Sequence, residues 1–270
     1  MKISFIGGGN MAAAMIGGMV KQGFAGTDIH VVEPDAAKRA ELAQQFGIST
    51  GSPDEALPAS TAVIFAVKPQ QLRSVAAALA PQLAGSLVIS IAAGVRADTL
   101  GRWLGGLDRV VRVMPNTPAL VQAGISGAYA SPGATADDKA LAERILGSIG
   151  ETVWVADEEE IDGITAISGS GPAYVFYFIE SLQAAARAQG FAPETARKLA
   201  YQTFAGAIKL ALQSDDDAAT LRQKVTSKGG TTERAINALE NSQVRSTIIA
   251  AASAAAARSR ELGEELGRDD

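Results

Sequence analysis

Two glycine-rich turns stand near opposite ends of this sequence, and both have the composition of anion holders. In FIGGGNMA, residues 5–12, the pattern Gly7-x-Gly9-x-x-Ala12 lies between a strand-like ISFI and a helical run. The first glycine permits a sharp turn, the second lets backbone approach a pyrophosphate, and the N-terminus of the next helix faces that anion. The chemistry this implies is dinucleotide binding. In TSKGGTTERAI, residues 226–236, glycines allow backbone N–H groups to converge, threonine hydroxyls add donors, and the following helix contributes its positive end. Such a turn suits a small anion such as a carboxylate. Its spacing matches neither the dinucleotide loop nor GxxxxGK[ST], and on the residues alone a plain helix cap after a glycine turn competes equally.

Glu33 in HVVEPD stands where a dinucleotide fold carries the acid that binds the adenosine ribose. Its carboxylate welcomes ribose hydroxyls and repels a 2′-phosphate, which favours NADH. Lys38 and Arg39 follow and could turn toward such a phosphate, although a solvated helix face is their ordinary role. Further candidates sit at the ends of apolar runs: AVKPQ (66–70), SIAAG (90–94) and VMPNTP (113–118). Ligands of open α/β sheets bind outside the carboxyl ends of strands, so Lys68, held extended before Pro69, and Asn116 could face a cofactor. An ordinary exposed lysine is as good a reading of Lys68. The chain has no cysteine and a single histidine, His30, which excludes disulfides, thiol nucleophiles and His-clustered metal centres.

The elements that must position these residues fall into two groups. Up to about residue 155, the strand candidates KISFI, IHVV, AVIFAV, SLVISIAAG, RVVRVMP and TVWVA alternate with the helix candidates NMAAAMIGGMVKQG, DAAKRAELAQQFG, QQLRSVAAALAPQL and ATADDKALAERILGSIG. Near-continuous apolar strands separated by helices predict a parallel sheet covered on both faces, an α/β nucleotide-binding domain over residues 1–157. From DEEEIDGITAI onward strand signals cease, and residues 158–270 read as an all-helical domain. Within it AYVFYFIESLQAAARAQG is apolar around most of its circumference, so it needs partners on more than one side, and a second subunit is the expected one. The formal charge of −5 leaves no basic surface for nucleic acid. No stretch reaches membrane-spanning length without charges or helix breakers, and the glycines after ISFI speak against a secretory signal, so a cytoplasmic protein is expected.

Taken in order, GxGNM, AVKP, AAG, MPNTP, GSGPAY and TSKGGTT resemble the pyrroline-5-carboxylate reductase family from residue 1 to about 260. The resemblance implies reduction of 1-pyrroline-5-carboxylate to L-proline by hydride from NADPH or NADH. It implies that Ser227, Gly229, Gly230 and Thr231 hold the substrate carboxylate, that Thr232 is the catalytic residue bonding the ring nitrogen, and that Glu158 is a substrate-site acid. Cofactor contacts carried over in the same way are Ile6, Gly7, Gly8, Gly9, Asn10, Met11, Glu33, Ala66, Val67, Lys68, Pro69, Ala92, Ala93, Gly94 and Asn116, with no metal. A homodimer built through the helical domain is implied, and in some members a decamer of five dimers. Lys224 stands where some relatives carry a small polar residue that touches the cofactor, and Glu33 replaces the small or polar residue seen where the family accepts a 2′-phosphate.

Imine reduction asks little of acid–base groups, because a cyclic imine protonates easily; orientation and electrostatic complementarity supply most of the rate. A β-hydroxyacid dehydrogenase would need a catalytic lysine on the helix after its glycine turn. Here the first basic residue after GSGP is Arg187. Two further functions fit the same loops: reduction of a related cyclic imino acid, and non-catalytic nucleotide sensing. An intact TSKGGTT argues against the sensor.

Overall fold

The computed structural model describes residues 1–268. The first half alternates strand and helix: β1 (Ile3–Ile6), α1 (Asn10–Lys21), β2 (Ile29–Val32), α2 (Ala36–Phe46), β3 (Ser49–Gly51), β4 (Ala62–Phe65), α3 (Pro69–Leu79), β5 (Leu87–Ser90), α4 (Ala97–Trp103), β6 (Val110–Met114), β7 (Gly124–Ala130), α5 (Ala136–Leu146) and β8 (Gly150–Trp154). Helices follow: α6 (Glu160–Ile164), α7 (Gly171–Ala188), α8 (Pro193–Leu212), α9 (Ala218–Lys224), α10 (Thr231–Asn241) and α11 (Val244–Gly267). The strands form one sheet in the order β3-β2-β1-β4-β5-β6-β7-β8.

Side chains alternate across each strand, and in the central strands β1, β4 and β5 both sets are buried. Ile3, Phe5 and Ile64 pack with Met15 and Ile16 of α1, Leu42 of α2 and Ile145 of α5, whereas Ile6, Val63 and Phe65 pack with Leu72 and Ala76 of α3 and Leu100 of α4. A sheet covered on both faces explains why its strands read as unbroken apolar runs. Helix boundaries follow local chemistry. Asp35 caps α2 by accepting from Ala37 and Lys38 N–H, and Gly47 ends it in the left-handed conformation at φ 65°. Thr135 and Asp138 close a reciprocal capping box on α5.

The expected all-parallel sheet is corrected at one pairing: β7 runs antiparallel to β6, with Arg112 opposite Tyr129. The short return from Met114 to Gly124 leaves no room for a crossover helix. A π-helical turn, Thr165–Gly169, precedes α7.

The chain divides into two compact units, one of Met1–Ser170 with the C-terminal stretch from Ala254, the other Gly171–Ser253. These differ from the expected ranges 1–157 and 158–270 for a physical reason: α6 packs on β6 and β7, and the last turns of α11 pack on the sheet unit as well. In the helical unit α7 packs along α8. Among the described residues no helix is long and apolar enough to cross a membrane.

Candidate active site

The strand order reverses direction between β1 and β4, and the crevice at the carboxyl ends of strands at such a switch point is where open α/β sheets take ligands. Register places the two loops side by side: Ile6 pairs with Phe65, and Ala66 N–H donates to Ile6 C=O at 2.8 Å. A cavity of about 460 Å³ opens there. Of the predicted cofactor residues, Ile6, Gly7 and Gly9 line it from the first loop, Glu33 from the end of β2, and Ala66, Val67 and Lys68 from the end of β4.

Each glycine of the loop has its own reason. Gly7 has φ +96°, and a Cβ on it would stand 2.8 Å from Ala66 C=O, so only glycine makes the turn. At Gly8 a Cβ would meet Leu42 Cδ1 at 2.7 Å and Glu33 Oε2 at 3.3 Å. Gly9 is extended at φ −65°, ψ 177°, immediately before α1, and a Cβ there would meet nothing within 4 Å. Neither strain nor packing requires glycine at that position. The open space before the N-terminus of α1 fits a pyrophosphate, and Asn10 and Met11 begin that helix.

Glu33 is buried, 8% exposed, and its carboxylate is fixed at both oxygens: Gly8 N–H donates to Oε2 at 2.9 Å and Asp35 N–H to Oε1 at 3.1 Å. Carboxylate oxygens keep further lone pairs, so this acid can still accept from ribose hydroxyls. The Arg39 guanidinium donates to the Glu33 and Pro34 carbonyls at 2.6 and 2.9 Å. Lys68 is extended at φ −62°, ψ 144°, with Pro69 as the first residue of α3. Gln71 and Ser74, one turn apart on α3, also line the cavity, as does Lys38. Attention to strand ends overlooks the first two; their i, i+3 spacing on a helix that starts at the site was the available signal.

Ala92, Ala93 and Gly94 follow β5, which pairs beside β4, and Ile91 N–H donates to Phe65 C=O at 3.1 Å. This brings the third loop to the same carboxyl edge. Asn116 is buried and its amide is committed within the protein: Nδ2 donates to Ser168 C=O at 3.1 Å, and Oδ1 accepts from Ile125 N–H at 3.0 Å. It clasps the loop after β6 to the π-helical turn, and its Nδ2 keeps a second N–H.

Glu158 is held by three partners. Its carboxylate is buried, 7% exposed, and Oε1 accepts from Ala97 N–H at 2.7 Å and Arg112 Nη1 at 3.0 Å, while Arg96 lies 3.6 Å from Oε2. The acid caps the start of α4 and neutralises a buried arginine of β6, which fixes its carboxylate beside the loop that enters α4. The motif gave no sign of this partner, because Arg112 lies mid-strand in an apolar run.

In the helical unit, Ser227, Gly229, Gly230, Thr231 and Thr232 form the predicted turn and the first two positions of α10. Gly229 has φ +75°, and Gly230, extended at φ −82°, ψ 172°, caps the helix. The Gly229 N–H donates to the Glu233 carboxylate at 2.7 Å. Thus the turn presents a backbone donor to a carboxylate at the positive end of a helix. Lys224, the last residue of α9, pairs with Asp216.

A switch-point crevice with a glycine loop and a buried acid on its wall suits a dinucleotide, and the protein is an oxidoreductase that uses a reduced nicotinamide dinucleotide. The chain belongs to the pyrroline-5-carboxylate reductase family. The family model for pyrroline-5-carboxylate reductase dimerisation matches residues 158–262, and a model described as NADP oxidoreductase, coenzyme F420-dependent, matches residues 2–94. A pyrroline-5-carboxylate reductase of Pseudomonas aeruginosa is 43% identical over 269 residues, 99% of this chain and 98% of the relative. Among solved structures, the pyrroline-5-carboxylate reductase of Coxiella burnetii superposes with a TM-score of 0.91 at 41% identity, covering 97% of this chain and 98% of that one. The Plasmodium falciparum enzyme with NADP bound gives 0.86 at 30% identity over the same shares. The dimerisation match identifies a homodimer.

Proposed function

We propose that this chain reduces the C=N bond of 1-pyrroline-5-carboxylate to give L-proline, the last step of proline biosynthesis. The observation that supports the reading beyond family membership is the α10 turn itself, in which Gly229 lies at φ +75° and Gly230 stands directly before the positive end of a helix. In the reaction the substrate carboxylate sits at Ser227, Gly229, Gly230 and Thr231 and displaces Glu233 from the Gly229 N–H. Thr232, partly buried at the second position of α10, places its hydroxyl at the ring nitrogen, which carries a proton as the C=N bond is reduced. Bound NADH or NADPH supplies the hydride that adds to the imine carbon. The residues of the chain supply orientation: the glycine loop and Glu33 fix the nucleotide half of the cofactor, the loop Ala92–Gly94 its reacting half, and the α10 turn the substrate. A cytoplasmic setting and assembly of dimers into decamers belong to the same proposal and rest on the family resemblance.

The test is loss of nicotinamide absorbance on mixing purified protein with 1-pyrroline-5-carboxylate and NADH or NADPH. Thr232→Ala is expected to lower turnover about ten- to a hundredfold, the worth of a hydrogen bond to a charged group, while nucleotide affinity stays unchanged. Parallel loss of both would put the turn in the cofactor site.

A further inference from the structure

The loop between β5 and α4 makes no sheet hydrogen bonds after Ile91, and its Gly94 lies at φ +80°. A glycine in that region is conformationally free unless something holds it. On one side Glu158 binds Ala97 N–H at 2.7 Å and fixes where the loop enters α4. On the other side stands one face of α11. A Cβ on Gly94 would lie 3.1 Å from Leu266 Cδ1 and 3.4 Å from Leu262 Cβ, and a Cβ on Gly263 would lie 3.2 Å from Gly94 C=O. Helix and loop therefore meet backbone to backbone, through two glycines.

The same face is anchored above and below that contact. Ser259, 5% exposed, donates from Oγ to Asp162 Oδ1 at 2.6 Å, and Asp162 is itself 5% exposed. Leu266 packs into the cluster that contains Ala92, Val95 and Ala97, and Gly267 C=O accepts from Arg102 Nη2 at 3.4 Å. Ser259, Gly263, Leu266 and Gly267 recur at helical spacing, so they form one stripe.

We infer that the stripe Ser259–Gly263–Leu266 of α11 is a positioning element that sets the place of the Ala92–Gly94 backbone, and through it the nicotinamide end of the bound cofactor. The inference rests on the reading of Ala92–Gly94 as a cofactor contact. A loop displaced by even an ångström misplaces a reacting group enough to cost about a hundredfold in rate. The cavity between β1 and β4, which the proposal gives to the adenine half, is lined by no residue of this loop or of α11.

That separation gives a binding test independent of turnover. In the full-length protein, Gly263→Val places bulk against Gly94 C=O. NADH binding is expected to weaken at least fivefold while ADP-ribose, which lacks the nicotinamide, binds as tightly as to the wild type. With substrate, the rate should fall and the isotope effect of deuterated NADH rise, because hydride transfer becomes slower. Equal weakening of both ligands, or no change in either beyond a lower melting temperature, would overturn the assignment. Should Gly263→Val fail to fold, Ser259→Ala removes one buried hydrogen bond without adding bulk and reads the same pair of affinities, with a smaller shift in NADH alone expected. Wild-type protein that binds NADH no more tightly than ADP-ribose would refute the cofactor-loop reading itself, and the role of the stripe would fall with it.

Discussion

Glu33 holds its charge in a fixed place, because two backbone N–H groups pin its carboxylate at the rim of the nucleotide cavity. Fixed charge discriminates better than a mobile one, since a 2′-phosphate brought to this rim cannot push it aside. A preference for NADH is the expected outcome. Glu33→Ser removes the charge, keeps a small hydroxyl, and leaves Lys38 on the cavity wall and Arg39 on nearby carbonyls. The ratio of kcat/KM for NADPH over NADH should rise about tenfold or more, the worth of one unfavourable charge contact at a partly buried site. An unchanged ratio would show that the ribose does not approach Glu33. At this scale the sequence was informative wherever a motif has its own geometry: the glycine loop, Glu33 and the strand-end Lys68 all line the cavity. It was uninformative where a side chain's role depends on a distant partner. Nothing adjacent to Glu158 announces Arg112, and nothing in MPNTP says that both ends of the Asn116 amide are taken by Ser168 and Ile125.

Among the elements, α5 shows how one residue ties local and tertiary structure. Asp138 closes the capping box with Thr135 and receives Arg109, whose Nη2 lies 2.7 Å from Oδ1 and Nε 3.1 Å from Oδ2. The Arg109 hydrogen bond, followed by those from Thr135 and against the opposing effect of burial, holds the Asp138 carboxyl below its ordinary 3.8. A folded-state value below the unfolded one means that the stabilisation is fully present above about pH 4 and fades as the pH falls through the lowered value. Asp138→Ala should cost about 2 kcal/mol at neutral pH, combining a lost cap with a lost charge-assisted bond, and the difference from wild type should shrink in acid; urea unfolding at pH 7 and pH 3 measures both. The helix was legible in the sequence, whereas its cap was not singled out: the run ATADDKALAERILGSIG includes Thr135, which stands just before α5. By contrast β3 and β7 were not foreseen. Ser49–Gly51 is three polar or small residues, and GISGAYA has only one β-branched residue; each is a strand because a neighbouring edge offers it partners, which local propensity cannot report.

At the level of the whole molecule, the helical unit exposes more apolar surface than a solitary unit sustains. Phe176 and Tyr177 of α7 are 60% and 67% exposed, and Val175, Leu182, Leu199 and Ile208 are open as well. Surface this apolar and this contiguous along two packed helices marks an interface, and the dimerisation match covers it. Each fully covered large apolar side chain contributes about 1.5–3 kcal/mol, so a handful of them outweighs the entropy lost on association. Phe176→Glu would place a charge where the partner's apolar surface closes, and leaving it unpaired costs several kcal/mol. The variant should elute as a monomer in size exclusion with light scattering, under conditions where wild type is a dimer. Because α10 and its anion-holding turn belong to the same helical unit, reductase activity should fall with the dimer fraction while the nucleotide cavity, built wholly from the sheet unit, continues to bind NADH. A monomer with full activity would show that the α10 turn needs no second subunit, and a dimer that survives Phe176→Glu would move the interface to other faces of the unit.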